Sequence, residues 1–592
     1  MALAVCGAMV VCLLFGGCSK EEGAMRFSLF TEAYSGGAKV VVDGLTSTWR
    51  AGDSVIVNGV KGAVGVDGEG TPYLDVDVTR WGMGYYAAYP ASAVESCTQS
   101  GLLTLTLPQD YQYREDNAGH QLLEMPMVAY SEDDRLVFKH LTGALVVKVP
   151  SVDKNIVLDY IMVKSSTSPL SGKWTVQVGA ADPQVTFISD TTHTVIMFFD
   201  RCPVNITAND PDTKDIMIPV APTTGNGHKF TVTVCAHSTG STKYYYIFNK
   251  QSTEGNMVRN VVAAAKVSFP NGRTIPFLGS GINGNPYLIQ TKVDYKNFLY
   301  WINANHDRDG YYSLVNNINF GGDTVTAVTL EHGFYGNFNG NGKRLSNVAV
   351  TANRYSNIFV SLFPAMTGGW VRDVSVENVT LLPPQSGGSY DLYVGGFTSI
   401  VNSTGGNTSM ENIQVSNITV NHLSSAYVFR VAAIGGIVGK VMKTGSGSLS
   451  MNACGFQQRT PTVYSTTTNV TTLCFGGLVG DATSTEVTLN NCRVGFGGRP
   501  ETFGATLNSN SSNNAHVGSA VGRVTSNTIT IVDSLLSEGR FLYIGTAIDN
   551  VKKIIGSNSG LSGDTLMNAS GLSFWRKSYA NNIDMTEVTA DY

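Results

Sequence analysis

The sequence predicts an all-β protein whose C-terminal half is a right-handed parallel β-helix. Three observations carry this. Charged residues are only 14% of the chain and glycine supplies 64 of its 592 residues, with few long helical patterns, a composition suited to short strands joined by turns. Residues 37–150 run as short apolar stretches, "AKVVVDGL", "DSVIVNGV", "YYAAYP", "LLTLTLP" and "GALVVKVP", separated by turn residues. Nearly the same six residues recur at 434–439 ("IGGIVG") and 475–480 ("FGGLVG"), and self-similarity at a fixed period marks stacked repeats.

A chain of 592 residues exceeds one ordinary core and at ~150 residues per domain suggests three or four units. The formal net charge of −5 and the lack of a basic stripe argue against a nucleic-acid partner. The nine cysteines form no CxxC pair, which argues against a zinc site or a dense disulfide framework.

The first element is residues 1–17, MALAVCGAMVVCLLFGG, uncharged and ending in small residues before Cys18 and the polar "SKEE". Such a short apolar run reads as a secretion signal. "LLFGGC" resembles the lipobox of bacterial lipoproteins, with Phe15 in place of the usual Leu, and "SKEE" resembles the surface-export signal of Bacteroidetes-type lipoproteins. The resemblance implies cleavage before Cys18, acylation of Cys18, a lipidated tether over 18–36 and a surface-exposed position on the outer membrane. Two or more acyl chains, at ~0.8 kcal/mol per buried CH₂, would hold such an anchor almost permanently.

The next stretch carries "TSTWRAGDSVIV" (46–57), "YYAAYPAS" (85–92), "LTLPQDYQY" (105–113) and "MPMVAYSEDDRLVFKHLTGALVVKV" (125–149). In this order these segments resemble the fimbrillin-like family of pilus and surface subunits, over about 25–270. The resemblance implies two β-sandwich modules, 37–150 and 151–270. It also implies fimbrial subunits as partners by strand addition after a proteolytic cut, for which Arg26 and Arg50 are the candidate positions. An open sheet edge offers the unpaired N–H and C=O groups such addition needs.

Gly, Pro and Asn concentrate in "NGRTIPFLGSGINGNPY" (271–287), which reads as a domain boundary. Beyond it, "YVGGFTSI", "IGGIVGKV", "FGGLVGDA" and "HVGSAVGR" place Gly395, Gly435, Gly476 and Gly518 at steps of 40, 41 and 42, with Gly396, Gly436 and Gly477 following the first three. Strands of alternating pattern lie between them and carry Asp373, Asn412, Asn452, Asn491 and Asp533 at a matching rhythm. Each repeat is thus expected to supply one Gly-rich strand and one alternating strand. One repeat cannot bury enough apolar surface to fold alone, whereas stacked repeats share a core. The glycines are expected at tight turns or close backbone approaches, and the Asn and Asp residues as a hydrogen-bonded ladder.

A "PYLI" strand, an aromatic-rich helix (286–302) and "FYGNFNGNGKRLSNVAV" (334–350) resemble the entry signature of GLUG-repeat proteins of bacterial surfaces. On this reading 277–592 is a GLUG-like parallel β-helix, with 541–592 as its C-terminal cap.

Enzymes also use β-helices, and glycoside hydrolysis needs two carboxyl groups facing a cleft. The acids of 340–540 are sparse, and Asp373 and Asp533 fall on the ladder, where a structural role is expected. The chain shows no Ser-His-Asp order, His cluster or HExxH string. "NHDRDG" (305–310) begins like a calcium loop but has Asn316 at the twelfth position, so it reads as a solvated turn, as does "NDPDTKD" (209–215). The expectation is no catalytic residue, no metal and no cofactor. Tyr300, Trp301, Tyr311, Tyr312 and Tyr390 are candidates for stacking on sugars or proteins. The polar stretches 402–409, 443–448, 462–471 and 505–515 lie at repeat spacing and are read as loops lining one binding face. The function expected is an adhesin, at a fimbrial tip or as an accessory subunit, binding a host, matrix or bacterial glycan or protein. The alternative is a polysaccharide-active β-helix enzyme displayed on the surface.

Overall fold

A computed structural model describes residues 25–33 and 49–384, apart from 83, 118 and 224–226. From 389 to 525 it leaves out 405, 421–427, 443–446, 459–461, 467–468, 484–485, 497–502, 508–514 and 519, and beyond 525 it describes the backbone of short strands alone. The signal segment, Cys18 and Asp533 lie outside the described residues. The chain is all-β and divides into two compact units, Met1–Ile275 and Pro276–Tyr592.

In the first unit seven strands close a barrel in the order Met25–Thr31, Arg135–His140, Met127–Ser131, Tyr85–Tyr89, Ser54–Val57, Val60–Val66 and Pro72–Val76. Their alternation puts Phe27, Leu29, Val55, Leu74, Leu136 and Phe138 inside. Asn58 and Gly59 join two of these strands at φ 46° and 84°, the backbone that Asn-Gly supplies to a two-residue hairpin.

Beyond the barrel, Gly143–Val149 sits between Lys214–Val220 and Val262–Lys266. This sheet shares a core with the sheet built on Ile156–Ser165 and Phe230–Ser238, through Leu145, Val147, Ile161, Val163, Val195 and Val234. Leu102–Leu107 pairs with Ser171–Gln177. Strand pairing therefore runs across residue 150, since Gly143–Val149 and Leu102–Leu107 take neighbours from beyond it to cover their edges.

The second unit opens with Tyr287–Ile289 and an α-helix, Lys292–Asn303. Thr291 starts the helix: its hydroxyl accepts from the Asp294 amide while the Asp294 carboxylate accepts from the Thr291 amide, a capping box. Tyr295, Phe298, Leu299 and Ile302 form one buried face. The Phe298 ring meets Tyr312 and Phe338 at centroid distances of 4.8 and 5.5 Å, so this face packs on the first strands of the repeats.

Successive repeats then contribute strands to three sheets whose neighbouring repeat strands pair parallel. The first contains Asn337–Thr351, Gly369–Leu382 and Thr408–Val420, continued by the pair Leu449–Asn452 and Gly455–Gln458. The second contains Ser389–Gly395, Val428–Gly435, Asn469–Gly476 and Ala515–Gly518. The third contains Thr398–Asn402, Val438–Met442, Val479–Thr483 and Val521–Thr525. Equivalent apolar positions stack in rows such as Val376, Val415, Phe456 and Val494, all buried. The Gly-rich segment thus gives two strands where one was expected, because the paired glycines break it at a corner. Thr462–Thr466 and Phe503–Leu507 are also strands, paired with each other, where loops were expected. Thr462, Val463, Tyr464 and Thr466 favour extended backbone.

Candidate binding face

Gly395, Gly435, Gly476 and Gly518 occupy one row of the second sheet, each opposite the next. Their role follows from close approach. A Cβ on Gly395, Gly435 or Gly476 would lie 1.8 to 1.9 Å from the carbonyl oxygen of Thr398, Val438 or Val479. At Gly396 it would meet the Gly436 carbonyl at 2.2 Å, and at Gly436 the Gly477 carbonyl at 2.1 Å and the Phe456 ring at 2.4 Å. The amides of Gly396 and Gly436 donate to the carbonyls of Gly435 and Gly476 at 3.1 Å, so the backbone ladder continues through the corner. Gly439, Gly480 and Gly522 form a further row, each with carbonyl oxygens 2.4 to 2.5 Å from a Cβ. This row is visible in retrospect as the last glycine of "GGIVG" and "GGLVG".

The Asn and Asp positions divide between two registers. Asp373, Asn412 and Asn491 have positive φ (55°, 52° and 49°), a conformation Asn and Asp tolerate better than other non-glycine residues. Asn412 donates to the Asp373 carboxylate at 2.9 Å. Asn452 does not belong to this row: it lies extended opposite Glu411 and Asn490, and Ala453 takes the left-handed place at φ 53°. The Gln414 side chain fills the gap, donating to Asn412 Oδ1 at 3.3 Å and to the Ala453 carbonyl at 2.8 Å. A second ladder, not singled out from the sequence, runs Asn319, Asn347, Asn378 and Asn417, each amide donating to the preceding one at 3.1 to 3.2 Å. The recurring "SN" and "EN" of "LSNV", "VENV" and "VSNI" is the signal that marks it.

Outward rows of the first sheet are polar: Arg344, Ser375 and Gln414 in one, Glu377, Ser416 and Gln457 in another. Parallel strands ~4.8 Å apart turn such rows into regular arrays of donors and acceptors. Two acids near this face are engaged: Glu377 pairs with Arg344 at 3.0 Å, and Asp373 accepts from Asn412 beside Arg372. On the third sheet Lys440, Asp481 and Arg523 stand in register, with Asp481 wholly buried between the two cations. The hydrogen bonds to Asp481 raise the Arg523 pKa further, against burial.

The aromatic candidates separate by burial. Tyr300 is 64% exposed, Tyr312 is buried, and Trp301 stacks on His306 at 4.3 Å. Tyr311 and Tyr390 are half-buried, and Tyr390 lies under the Arg354 guanidinium. In the 305–310 turn, Asp307 accepts from the Tyr287 hydroxyl and the Trp301 indole. Among the described residues no group of three or more His, Cys, Asp or Glu is placed to hold a metal. In the 209–215 loop Asp210 accepts from the Asp212 amide and Asp215 pairs with Lys148 at 2.6 Å. Arg26 forks onto Asp75 at 2.8 and 2.7 Å, and Arg50 reaches Asp116 at 3.4 Å. Of the polar stretches at repeat spacing, 405, 443–446, 467–468 and 508–514 lie outside the described residues.

No family model and no curated protein matches this chain. Among solved structures, it is similar to a candidate cell adhesion protein from Bacteroides ovatus at 10% identity, covering 42% of this chain and 97% of that one, with a TM-score of 0.25. A candidate immunoglobulin A1 protease from Bacteroides ovatus is 15% identical, covering 50% and 85%, with a TM-score of 0.26. A fimbrial protein from Bacteroides vulgatus is 12% identical, covering 42% and 98%, with a TM-score of 0.20. Scores this low carry no argument about fold or function.

Proposed function

We propose that the chain is a surface lipoprotein, anchored in the outer membrane through acylated Cys18, that acts as an adhesin at a fimbrial tip or as an accessory subunit. Its C-terminal unit on this reading is a right-handed parallel β-helix of the GLUG-repeat kind, which binds a host, matrix or bacterial glycan or protein. The observation that carries the reading is the polar outer face of the first sheet, a regular array on which Asp373 and Glu377 are held by neighbouring side chains. Such a face gathers many weak contacts, and several copies on one surface add avidity. Engaged carboxylates also favour binding over hydrolysis. A neighbouring subunit's strand is the proposed second partner. Met25–Thr31 closes the barrel between Pro72–Val76 and Arg135–His140, so its loss would open two edges to strand addition.

The test uses the full chain without residues 1–17 on an array of glycans and matrix proteins, beside a depolymerisation assay on the same glycans. Binding without release of reducing ends or unsaturated sugars is expected. Release that is lost on Asp373→Asn would establish the enzyme instead. In cells, Cys18→Ala is expected to abolish palmitate labelling and membrane association.

A further inference from the structure

The N-terminal ends of the second sheet's strands carry a cluster that the repeat architecture does not require. Tyr390 faces Phe429 and Leu392 faces Ala432, so the single residue Asp391 stands opposite two, Arg430 and Val431. A bulge of this kind re-aims side chains and is found beside functional sites. Arg430 Nε lies 3.3 Å from Asp391 Oδ1, yet the contact is not aligned as a hydrogen bond, which leaves that buried oxygen unsatisfied. The other carboxylate oxygen accepts from the Tyr393 hydroxyl at 3.1 Å. The Arg430 side chain is 64% exposed and that of Asp391 17%, so Arg430 lies over the carboxylate with most of its own surface open to solvent.

The hairpin of Asn353–Arg354 and Ile358–Val360 adjoins this point. Asn357 Oδ1 accepts from the Asp391 amide at 3.4 Å, Arg354 lies 4.6 Å over the Tyr390 ring, and Tyr355 is 54% exposed. Behind them Lys440 approaches the Tyr393 ring at 5.1 Å and pairs with Asp481, which Arg523 also holds. This connected set contains four cations, Arg354, Arg430, Lys440 and Arg523, against two carboxylates, Asp391 and Asp481. The local excess of positive charge stands in a chain of net charge −5.

We propose that Arg354, Tyr355, Tyr390, Asp391 and Arg430 form a subsite for a carboxylated sugar, a hexuronate or a sialate. Guanidinium groups bind carboxylates through paired N–H donors, which assigns Arg354 and Arg430 to the sugar acid. The unsatisfied Asp391 oxygen, uncovered as Arg430 turns to the ligand, accepts from a ring hydroxyl. The Tyr355 ring offers an apolar surface to the sugar's C–H face. This deepens the adhesin reading and rests on it.

The experiment measures binding of the full chain without residues 1–17 to a hexuronate trisaccharide, a sialylated trisaccharide, their carboxyl-reduced forms and a sulfated trisaccharide, on an array that also carries neutral glycans and matrix proteins. Affinity for at least one carboxylated sugar is expected to fall about tenfold or more on carboxyl reduction, on Arg354→Gln and on Arg430→Gln. Arg354→Gln removes only a contact with a ring, so it decides the matter if Arg430→Gln melts lower than the parent. Equal affinity for the reduced sugars, an unchanged Arg354→Gln protein, or binding to sulfated sugars alone overturns the subsite. Binding confined to neutral glycans or matrix proteins overturns the subsite and leaves the adhesin reading standing, whereas no binding to anything on the array removes both.

Discussion

Asp481 accepts two hydrogen bonds from Arg523, a residue 42 positions away in sequence and directly opposite it on the neighbouring strand, at 2.9 and 2.8 Å. Lys440 approaches from the other neighbour at 3.4 Å, so one buried carboxylate ties three repeats. Removing one partner of such a group strands the others in a low-dielectric interior. Asp481→Asn is expected to lower stability by about 3–5 kcal/mol, and the triple change Asp481→Leu, Arg523→Leu, Lys440→Met to recover most of it. Denaturant unfolding of the three proteins, parent, single and triple variant, checks this, and a single mutant as stable as the parent would contradict it.

The corner glycines make a sharper test of packing. Gly436→Ala places a methyl 2.1 Å from the Gly477 carbonyl, backbone that cannot rotate away, and is expected to cost about 3 kcal/mol or more. Gly495→Ala meets one flexible Gln457 carbon at 3.9 Å and is expected to change stability by less than ~0.5 kcal/mol. Thermal melting of the pair should separate them clearly.

Ala453 sits at φ 53°, in the row where its neighbours are Asn412 and Asn491. Asn tolerates this conformation better than Ala, so Ala453→Asn is expected to stabilise the protein by about 0.5–1 kcal/mol. Asn378→Ala, which breaks the second ladder at φ 55°, should destabilise by about 1–2 kcal/mol. Midpoints shifting in the same direction for both would sink the ladder argument.

His140 is buried in the first unit, and burial, then the Arg259 charge, pushes its pKa down from 6.5 to about 4. Between these values the unfolded chain binds the extra proton, so stability should fall as pH drops from about 6.5 towards 4, by up to ~3 kcal/mol. His140→Gln should flatten that slope. Denaturation midpoints of both proteins from pH 7 to pH 4 measure the difference, and parallel profiles would assign the slope to other groups.

The repeat period was legible because glycine spacing is a backbone requirement written one residue at a time. The rows at Gly395, Gly435, Gly476 and Gly518 could be read without knowing their neighbours. Asn452 reads as a ladder residue from sequence for a related reason: it stands one position from Ala453, and only φ tells the two apart. The Asp391–Arg430 site was not legible, since the bulge that brings the two together depends on how one strand counts against the next.

The sequence by itself determined the all-β class and the recurrence of glycines at a period near 41 residues, since both rest on local backbone preference repeated along the chain. The tertiary structure decided which strands pair across residue 150, that each Gly-rich segment turns into two strands, and which charges meet. Lys440, Asp481 and Arg523 are ordinary surface residues to a local reading. Stacking brings them side by side, and burial of Asp481 then makes their pairing obligatory, because the free energy of a charge depends on what surrounds it and not on where it stands in the chain.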